Sequence, residues 1–491
     1  MRVGIVDLGS NTTRLIVFEV RDDFSFRLVE GLKDVIRLAS GMDKEGCLNP
    51  NAIERAVEAA KLFEEFCRAL DVDKILGVAT AAVRRANNGA EVIQRIKDEC
   101  GLNIRAISGE EEGELDYYGV INTMDAENAY LLDMGGASME LIKVKEREIS
   151  SILVIPYGTI IMSEALYSSD SKIGLEVLGK DLKKEILRED FVDEDIDNLV
   201  GIGGTVRAIA KLDMKKKNYP LKLLHNYTMD IKDMNNILKL IEGNNVDEII
   251  KKGVSESRAD LILPGTFALK KIMEILNVER LRVSHSGIRE GILYRDVLGV
   301  VGDPLGLSVR NMMSHYGVNK IHAKNVERIA LKLFDLLRNG HGCGEGEKKL
   351  LSVTSMLHDV GLVIGYYNHG DPGCSIVLNE GINGLDHKSI LKCALLIKLH
   401  TGSYDKKVFN GYKKILNKKD RRDILNLGVL LRIAESMDIT ESGLVRSVSG
   451  EIFAGALHLR VEGERKSIWR YGIERNAELF FNIYGLKLVV D

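Results

Sequence analysis

Residues 6–15 read VDLGSNTTRL. An apolar strand, RVGIVDLG, runs straight into Asp7 and Gly9, then into Ser10, Asn11, Thr12 and Thr13, before a second apolar run, RLIVFEV, begins. A plain strand-to-turn hairpin accounts for the glycine. A loop built to hold a phosphate accounts for the whole set: backbone N–H groups converging from a tight turn bind phosphate oxygens, glycine permits close approach, and Ser or Thr adds hydroxyl donors. The carboxylate of Asp7 would repel a phosphate unless a cation accompanied it, and Mg2+ suits because it takes oxygen ligands and keeps several waters.

The pattern restarts at residues 131–141, LLDMGGASMEL: strand, Asp133, the glycines Gly135 and Gly136, Ala137, the hydroxyl of Ser138, then a second strand. A third loop, GIGGTVRAIAKL at 201–212, again drops from a strand into Gly203, Gly204 and Thr205 at a helix start. Internal repetition fixes architecture before any other signal. Here it implies two similar lobes facing each other across a cleft. Around the first loop lie the strand-like runs RVGIVDLG, RLIVFEV and FRLVEGL, followed before the second loop by strands alternating with helices. That order is the order of a ribonuclease-H-like α/β layer. Asn51 is a candidate cap for the first helix, where Ile53, Val57, Ala60, Phe63 and Cys67 share a face. Further helices are expected around AEVIQRIKDEC and from near Glu110.

The 491 residues exceed one core, and the composition, 45% hydrophobic and 29% charged, is that of a globular protein. A net charge of −4 argues against gross nucleic-acid binding. No apolar run approaches the roughly 18 residues of a membrane span. The six scattered cysteines lack a CxxC pair and read as reduced thiols of a cytoplasmic protein. The expected divisions are a first α/β lobe at 1–122, a second at 123–298, an all-α domain at 310–445 and a small α+β tail at 446–491. A glycine- and proline-bearing linker is expected at 298–309, LGVVGDPLGLSV.

VDLGSNTTRL, VATAAVR, ISGEEEGEL, LLDMGGASMEL, GIGGTVRAIAKL, YPLKLLHNY, SRADLILPG and SGIREGILY occur in an order that resembles the exopolyphosphatase / guanosine pentaphosphate phosphohydrolase (Ppx/GppA) family. The resemblance implies the duplicated fold of the actin-like ATPase superfamily over roughly residues 1–300, and more loosely a helical HD-type domain at 310–445. It assigns Glu112, in SGEEEG, the place of the catalytic glutamate, with a register ambiguous by one residue because Glu110 and Glu111 precede it. A carboxylate there would act as general base toward the attacking water. Asp133 and Glu140 would hold Mg2+, with Asp7 the equivalent carboxylate of the first loop. Phosphoryl transfer is mostly positioning and charge neutralisation, so Arg14, Arg84, Arg258 and Arg289 are candidate phosphate ligands, Arg84 and Arg258 foremost. The glycine loops, through Gly9, Ser10, Asn11, Thr12, Gly135, Gly136, Ala137, Ser138, Gly203, Gly204 and Thr205, complete the phosphate-binding set.

In the helical region the resemblance places metal ligands at His322, at the His358-Asp359 pair of LHDVG, and at Glu435 in RIAESMD, where the family of HD phosphohydrolases has an Asp; Asp438 follows. His369 and His400 are additional candidates. Cys374 stands where a further His is common, which argues against two metals. The alternative is a domain that keeps the fold without metal. Two basic runs, MKKKNYPLK (214–222) and KKILNKKDRR (413–422), are candidate guides for a polyanion or else solvated faces. The expected activity is Mg2+-dependent release of orthophosphate from the end of inorganic polyphosphate. The alternatives are hydrolysis of guanosine pentaphosphate at its terminal phosphate, or a non-catalytic regulator that binds polyphosphate or an alarmone such as guanosine penta- or tetraphosphate. Neither nucleic acid nor membrane is an expected partner, and a homodimer is expected by resemblance.

Overall fold

The computed structural model describes every residue except 44, 168–170, 189–190, 300–301 and 491, and leaves aside the side chains of 167 and 171–173. The chain forms two compact units, one of residues 1–218 and 224–304, the other of residues 219–223 and 305–491.

The first unit carries both repeats. β1 (Arg2–Leu8), β2 (Thr13–Val20), β3 (Phe26–Asp34), β4 (Lys74–Ala79) and β5 (Ile104–Ala106) form a sheet of order β3-β2-β1-β4-β5. β1–β2 and β2–β3 are antiparallel hairpins, while β4 and β5 join in parallel. β6 (Ala129–Met134), β7 (Met139–Lys145), β8 (Glu148–Ile155), β9 (Asn198–Ile202), β10 (Thr228–Asp230) and β11 (Arg280–Val283) repeat the plan as β10-β11-β9-β6-β7-β8. β6 is the counterpart of β1 and is buried along its whole length, as expected of a central strand covered on both faces.

Alternation along β1 divides the first lobe's core. Val6 and Leu8 pack with Ala56, Val57, Ala60 and Phe63 of the helix Pro50–Ala69. Val3 and Ile5, on the opposite face, pack with Leu115, Ile292 and Leu293. The last two belong to the segment 288–298, assigned on sequence to the second lobe. It returns to the first lobe because the helices Gly109–Ile121 and Ile288–Ile292 cross almost backbone to backbone: a Cβ on Gly291 would lie 1.8 Å from the Leu115 carbonyl oxygen. The first helix starts earlier than expected. Asn49, not Asn51, is its cap, accepting from the Asn51 N–H, and Pro50 takes the first helical position, where its missing N–H costs nothing.

Residues 300–301 of the expected linker lie outside the described residues; Pro304 instead opens a helix, Pro304–His315. In the second unit, helices surround Leu391, Leu395, Val429 and Leu430, and Trp469, Ile473, Phe480 and Val490 of the tail join that same core. The three-stranded tail sheet β12 (Val445–Phe453), β13 (Ala456–Gly463) and β14 (Lys487–Val490) therefore shares the helical core of the residues before it. The six cysteines form no disulfide. Among the described residues, no helix is long and apolar enough to cross a membrane.

Candidate active site

The two repeated loops meet. A Cβ on Gly136 would approach Ser10 Cβ to 3.2 Å, so the second glycine loop lies directly against the first. Their backbones match: a Cβ on Gly9 would lie 2.7 Å from the Thr12 carbonyl oxygen, and one on Gly135 would lie 2.7 Å from that of Ser138. Gly203, at φ +96°, turns the third loop into the helix Gly204–Lys217; a Cβ there would meet Asp133 Oδ1 at 2.7 Å. Only glycine accepts both that φ and that closeness.

The cleft between the loops is lined by Asp7, Gly9, Ser10, Asn11, Thr12, Arg14, Glu112, Asp116, Asp133, Gly135, Gly136, Ala137, Ser138, Gly203, Gly204, Arg207, Arg258 and Arg289. Most of the expected loop residues are thus gathered in one place. Two expected phosphate ligands are placed differently, and one expected cation ligand sits deeper than the rest. Arg84 donates to Glu112 Oε2 at 2.8 Å and to the Ile107 carbonyl at 3.0 Å, with Glu140 at 3.8 Å, so it serves the carboxylates. Thr205 is fully buried and its hydroxyl accepts from Arg258. Glu140 lies beneath the cleft floor, fully buried, one oxygen accepting from the Ser138 hydroxyl at 2.7 Å.

The run of three glutamates separates by helical rotation. Ser108 caps the helix by accepting from the Glu111 N–H. Glu110 is exposed, Glu111 is forked by Arg105 at 2.7 and 2.6 Å with Arg295 at 3.1 Å, and Glu112 alone turns into the cleft. Burial pushes the Glu112 carboxyl up to about 7, against the opposing pull of Arg84. Burial likewise raises Asp133 to about 6, with Arg207 opposing and Asp7 adding to the rise. Glu140 is raised by burial and by Glu112 and Asp133. Ligand oxygens of Glu112, Asp133 and Glu140 lie within 4.8 Å of one another. Glu140 Oε2 and both oxygens of Asp116 are buried without a hydrogen-bond partner in the protein. Crowded carboxylates with an orphaned buried oxygen form an all-oxygen donor set short of positive charge, and it fits a hard divalent cation such as Mg2+.

Arginines gather in the same cleft. Burial lowers Arg207 to about 10, aided by Arg14 and Arg289, and burial with Arg14 lowers Arg258 to about 10. Guanidinium groups gathered in this way suit an anion. Arg207 and Asp116 escaped the sequence reading. Both carry a signal in hindsight: Asp116 stands one helical turn after Glu112, and Arg207 stands in the first turn of the third glycine loop's helix. The basic run at 214–222 is engaged locally, Lys217 pairing with Asp213 and Asp233 and Lys215 capping the Lys252 carbonyl. In the run at 413–422, Asn417 and Asp420 form a capping box and Lys419 pairs with Asp423.

The second unit brings His322, His358 and Asp359 together, with His369 and His400 also on Asp359. Glu435 lies outside both of these groups; burial and Asp359 push its carboxyl up to about 7. Asp438 instead holds His322 Nδ1 at 2.9 Å. Cys374, at the place of a further histidine, is buried in an apolar cluster.

The Ppx/GppA phosphatase family matches residues 16–299, more than half of the chain, and domain III of Ppx/GppA phosphatases matches residues 306–451. The chain belongs to the Ppx/GppA phosphatase family. It is accordingly a hydrolase by class. Among solved structures, it is similar to a Ppx/GppA family member from Aquifex aeolicus, at 27% identity over 61% of this chain and 98% of that one, with a TM-score of 0.53. It shares its fold with an exopolyphosphatase from Cytophaga hutchinsonii, at 22% identity over 62% of this chain and 99% of that one, TM-score 0.57.

Proposed function

We propose that this family member is an Mg2+-dependent exopolyphosphatase that releases orthophosphate from the end of inorganic polyphosphate. The supporting observation is one cleft that gathers Glu112 and Asp133, with Glu140 beside them, together with Arg14, Arg207, Arg258, Arg289 and two glycine loops. The terminal phosphoryl group would sit on the loops' N–H and hydroxyl donors, and the arginines would balance the charge of the following phosphates. Glu112, poised near neutrality, would take the proton of a water attacking phosphorus in line, while the P–O bond to the remaining chain breaks. Asp133 and Glu140 would hold Mg2+, which supplies charge neutralisation at the transferred group when bound. In the second unit, an HD-type centre would hold a divalent cation on His322, His358 and Asp359.

Guanosine pentaphosphate is the second reading, favoured by the cavity that continues from the cleft. Its walls combine Lys33, Lys211 and Arg14 with Leu15, Leu28 and Val254, a mixture that suits a nucleoside as well as a phosphate chain. Phosphate release from long-chain polyphosphate, guanosine pentaphosphate and ATP, each with Mg2+, separates the substrates. Glu112→Gln is expected to lower kcat by about 10²- to 10⁴-fold, the usual worth of a general base. Equal rates for wild type and Glu112→Gln would rule out this mechanism.

A further inference from the structure

Asp116 stands in the cleft with no hydrogen-bond donor of its own. It is fully buried, and neither carboxylate oxygen has a partner among the described residues, yet the side chain lines the cleft. Gly287 comes close, since a Cβ there would lie 3.1 Å from Asp116 Oδ1, but the Gly287 N–H is turned to Glu290 Oε2 at 3.0 Å. Burial, Asp133 and Glu112 push the Asp116 carboxyl well above the usual carboxylate range, and Glu140 and Asp7 add to the rise. An unpaired buried carboxyl among four other acids is costly to the fold, and a residue kept at such a cost points to function rather than stability.

Its place on the helix Gly109–Ile121 suggests the task. Asp116 follows Glu112 by four residues, so the two side chains share a face, with Cβ atoms about 5–6 Å apart. Glu112 Oε2 is held by Arg84 at 2.8 Å, which leaves Oε1 to meet a water. A water has two protons, and two acceptors roughly 4.5 Å apart, each at the ~2.7–2.8 Å of an O–H···O bond, fix both of them. The remaining lone pairs then have a set direction, which in-line attack requires to be that of phosphorus. In either protonation state Asp116 keeps an accepting oxygen. The group of Glu112, Asp133 and Glu140 within 4.8 Å does not include Asp116, so it stands beside the expected cation ligands and not among them.

We propose that Asp116 is the second acceptor of the attacking water, holding one of its protons while Glu112 takes the other. The proposal rests on the reading of Glu112 as general base and adds the group that orients its water. The water oxygen forms the new bond to the terminal phosphorus, one proton passes to Glu112, and the other stays on that oxygen, directed at Asp116. The P–O bond to the rest of the substrate breaks, and its electron pair leaves on the bridging oxygen of the shortened chain. Asp116 acts on the water and not on the phosphate chain, so it affects kcat and leaves KM unchanged.

The test is steady-state phosphate release by the full chain with Mg2+, on whichever of polyphosphate and guanosine pentaphosphate wild type hydrolyses. Asp116→Ala and Asp116→Leu, the latter close to Asp in shape, remove the acceptor. Each should lower kcat by about 10- to 100-fold, the worth of one hydrogen bond to a reacting group, with KM within about twofold. Asp116→Asn keeps an oxygen and should stay within about threefold of wild type. In the Glu112→Gln background, Asp116→Ala should cost less than about twofold more, because the water then has no base to face, whereas a structural residue would give additive losses. In chelator, the Tm of Asp116→Leu should equal or exceed that of wild type, since an unpaired buried carboxyl has been removed. Unchanged kcat in the Ala and Leu variants, with Glu112→Gln inactive, would overturn the proposal and leave the base in place. Additive losses with a raised KM and a lowered Tm would overturn it in favour of a structural role. Full activity in Glu112→Gln would remove the base and the proposal together. Either of the Ala and Leu variants decides the matter if the other fails to fold.

Discussion

The loops at 6–15 and 131–141 share a backbone and differ in charge. In the first, Asp7 stands across the hairpin from Arg14; at the same register in the second, Asp133 stands across from Glu140. The first lobe therefore neutralises itself: burial raises the Asp7 carboxyl, but Arg289 and Arg14 both oppose the rise. The second lobe accumulates acids, and Glu140 is raised by burial, by Glu112 and by Asp133 together. Duplication supplied one scaffold for holding phosphate, and a single cross-strand exchange of Arg for Glu makes one copy suited to the anion and the other to a cation.

The largest effect should follow from breaking the acidic copy. Asp133→Ala or Glu140→Ala is expected to lower phosphate release by about 10³-fold, the several kcal/mol of a lost metal-ion contribution. Asp7→Asn should cost about tenfold at most. Equal losses at Asp7 and Asp133 would mean that the two loops do the same job. Next comes the basic copy. Arg14→Ala should reduce kcat/KM by about 10- to 100-fold, the worth of a charge-assisted hydrogen bond of ~1.5–3 kcal/mol. Thr205→Val, which removes only the acceptor that orients Arg258, is expected to cost about 2- to 10-fold.

Two further measurements sharpen the contrast through pH. Under the proposed mechanism Glu112 would act as a base only when ionised, and Arg84 pulls its pKa down from where burial would set it. The rate should rise with pH through about 7 in wild type, and Arg84→Ala should move that limb toward alkaline pH, with a greater loss at pH 7 than at pH 9. A profile that does not move would detach Arg84 from the base. For stability, a carboxyl whose folded pKa is raised weakens the fold once pH exceeds its unfolded value of about 4.3. Glu140→Gln in chelator should thus raise Tm at neutral pH, and the gain should vanish below about pH 4. An unchanged Tm at pH 7 would show that the carboxylates are not in conflict.

Sequence alone carried the duplication, because a glycine loop between two strands is a local pattern that repeats in register. It also carried the candidate acids, because their spacing within each loop is local. It could not decide which of Glu110, Glu111 and Glu112 faces the cleft, since neighbouring helical positions differ by about 100° and only the packing of Gly109–Ile121 sets the zero of that rotation. Arg84 looked like a phosphate ligand by residue type, yet its partner Glu112 is brought to it by folding. His369 and His400 entered as extras and Glu435 as a ligand. In the fold, the two histidines reach the second oxygen of Asp359 while Glu435 stays outside the triads. The segment 288–298 could not be given to the first lobe from its own apolar pattern, which says only that a face is buried and not by what. Chemistry written into short loops was determined by the sequence itself. Charge partners, helix rotation and the pairing of distant histidines were decided by the tertiary structure, because each depends on which surfaces pack together.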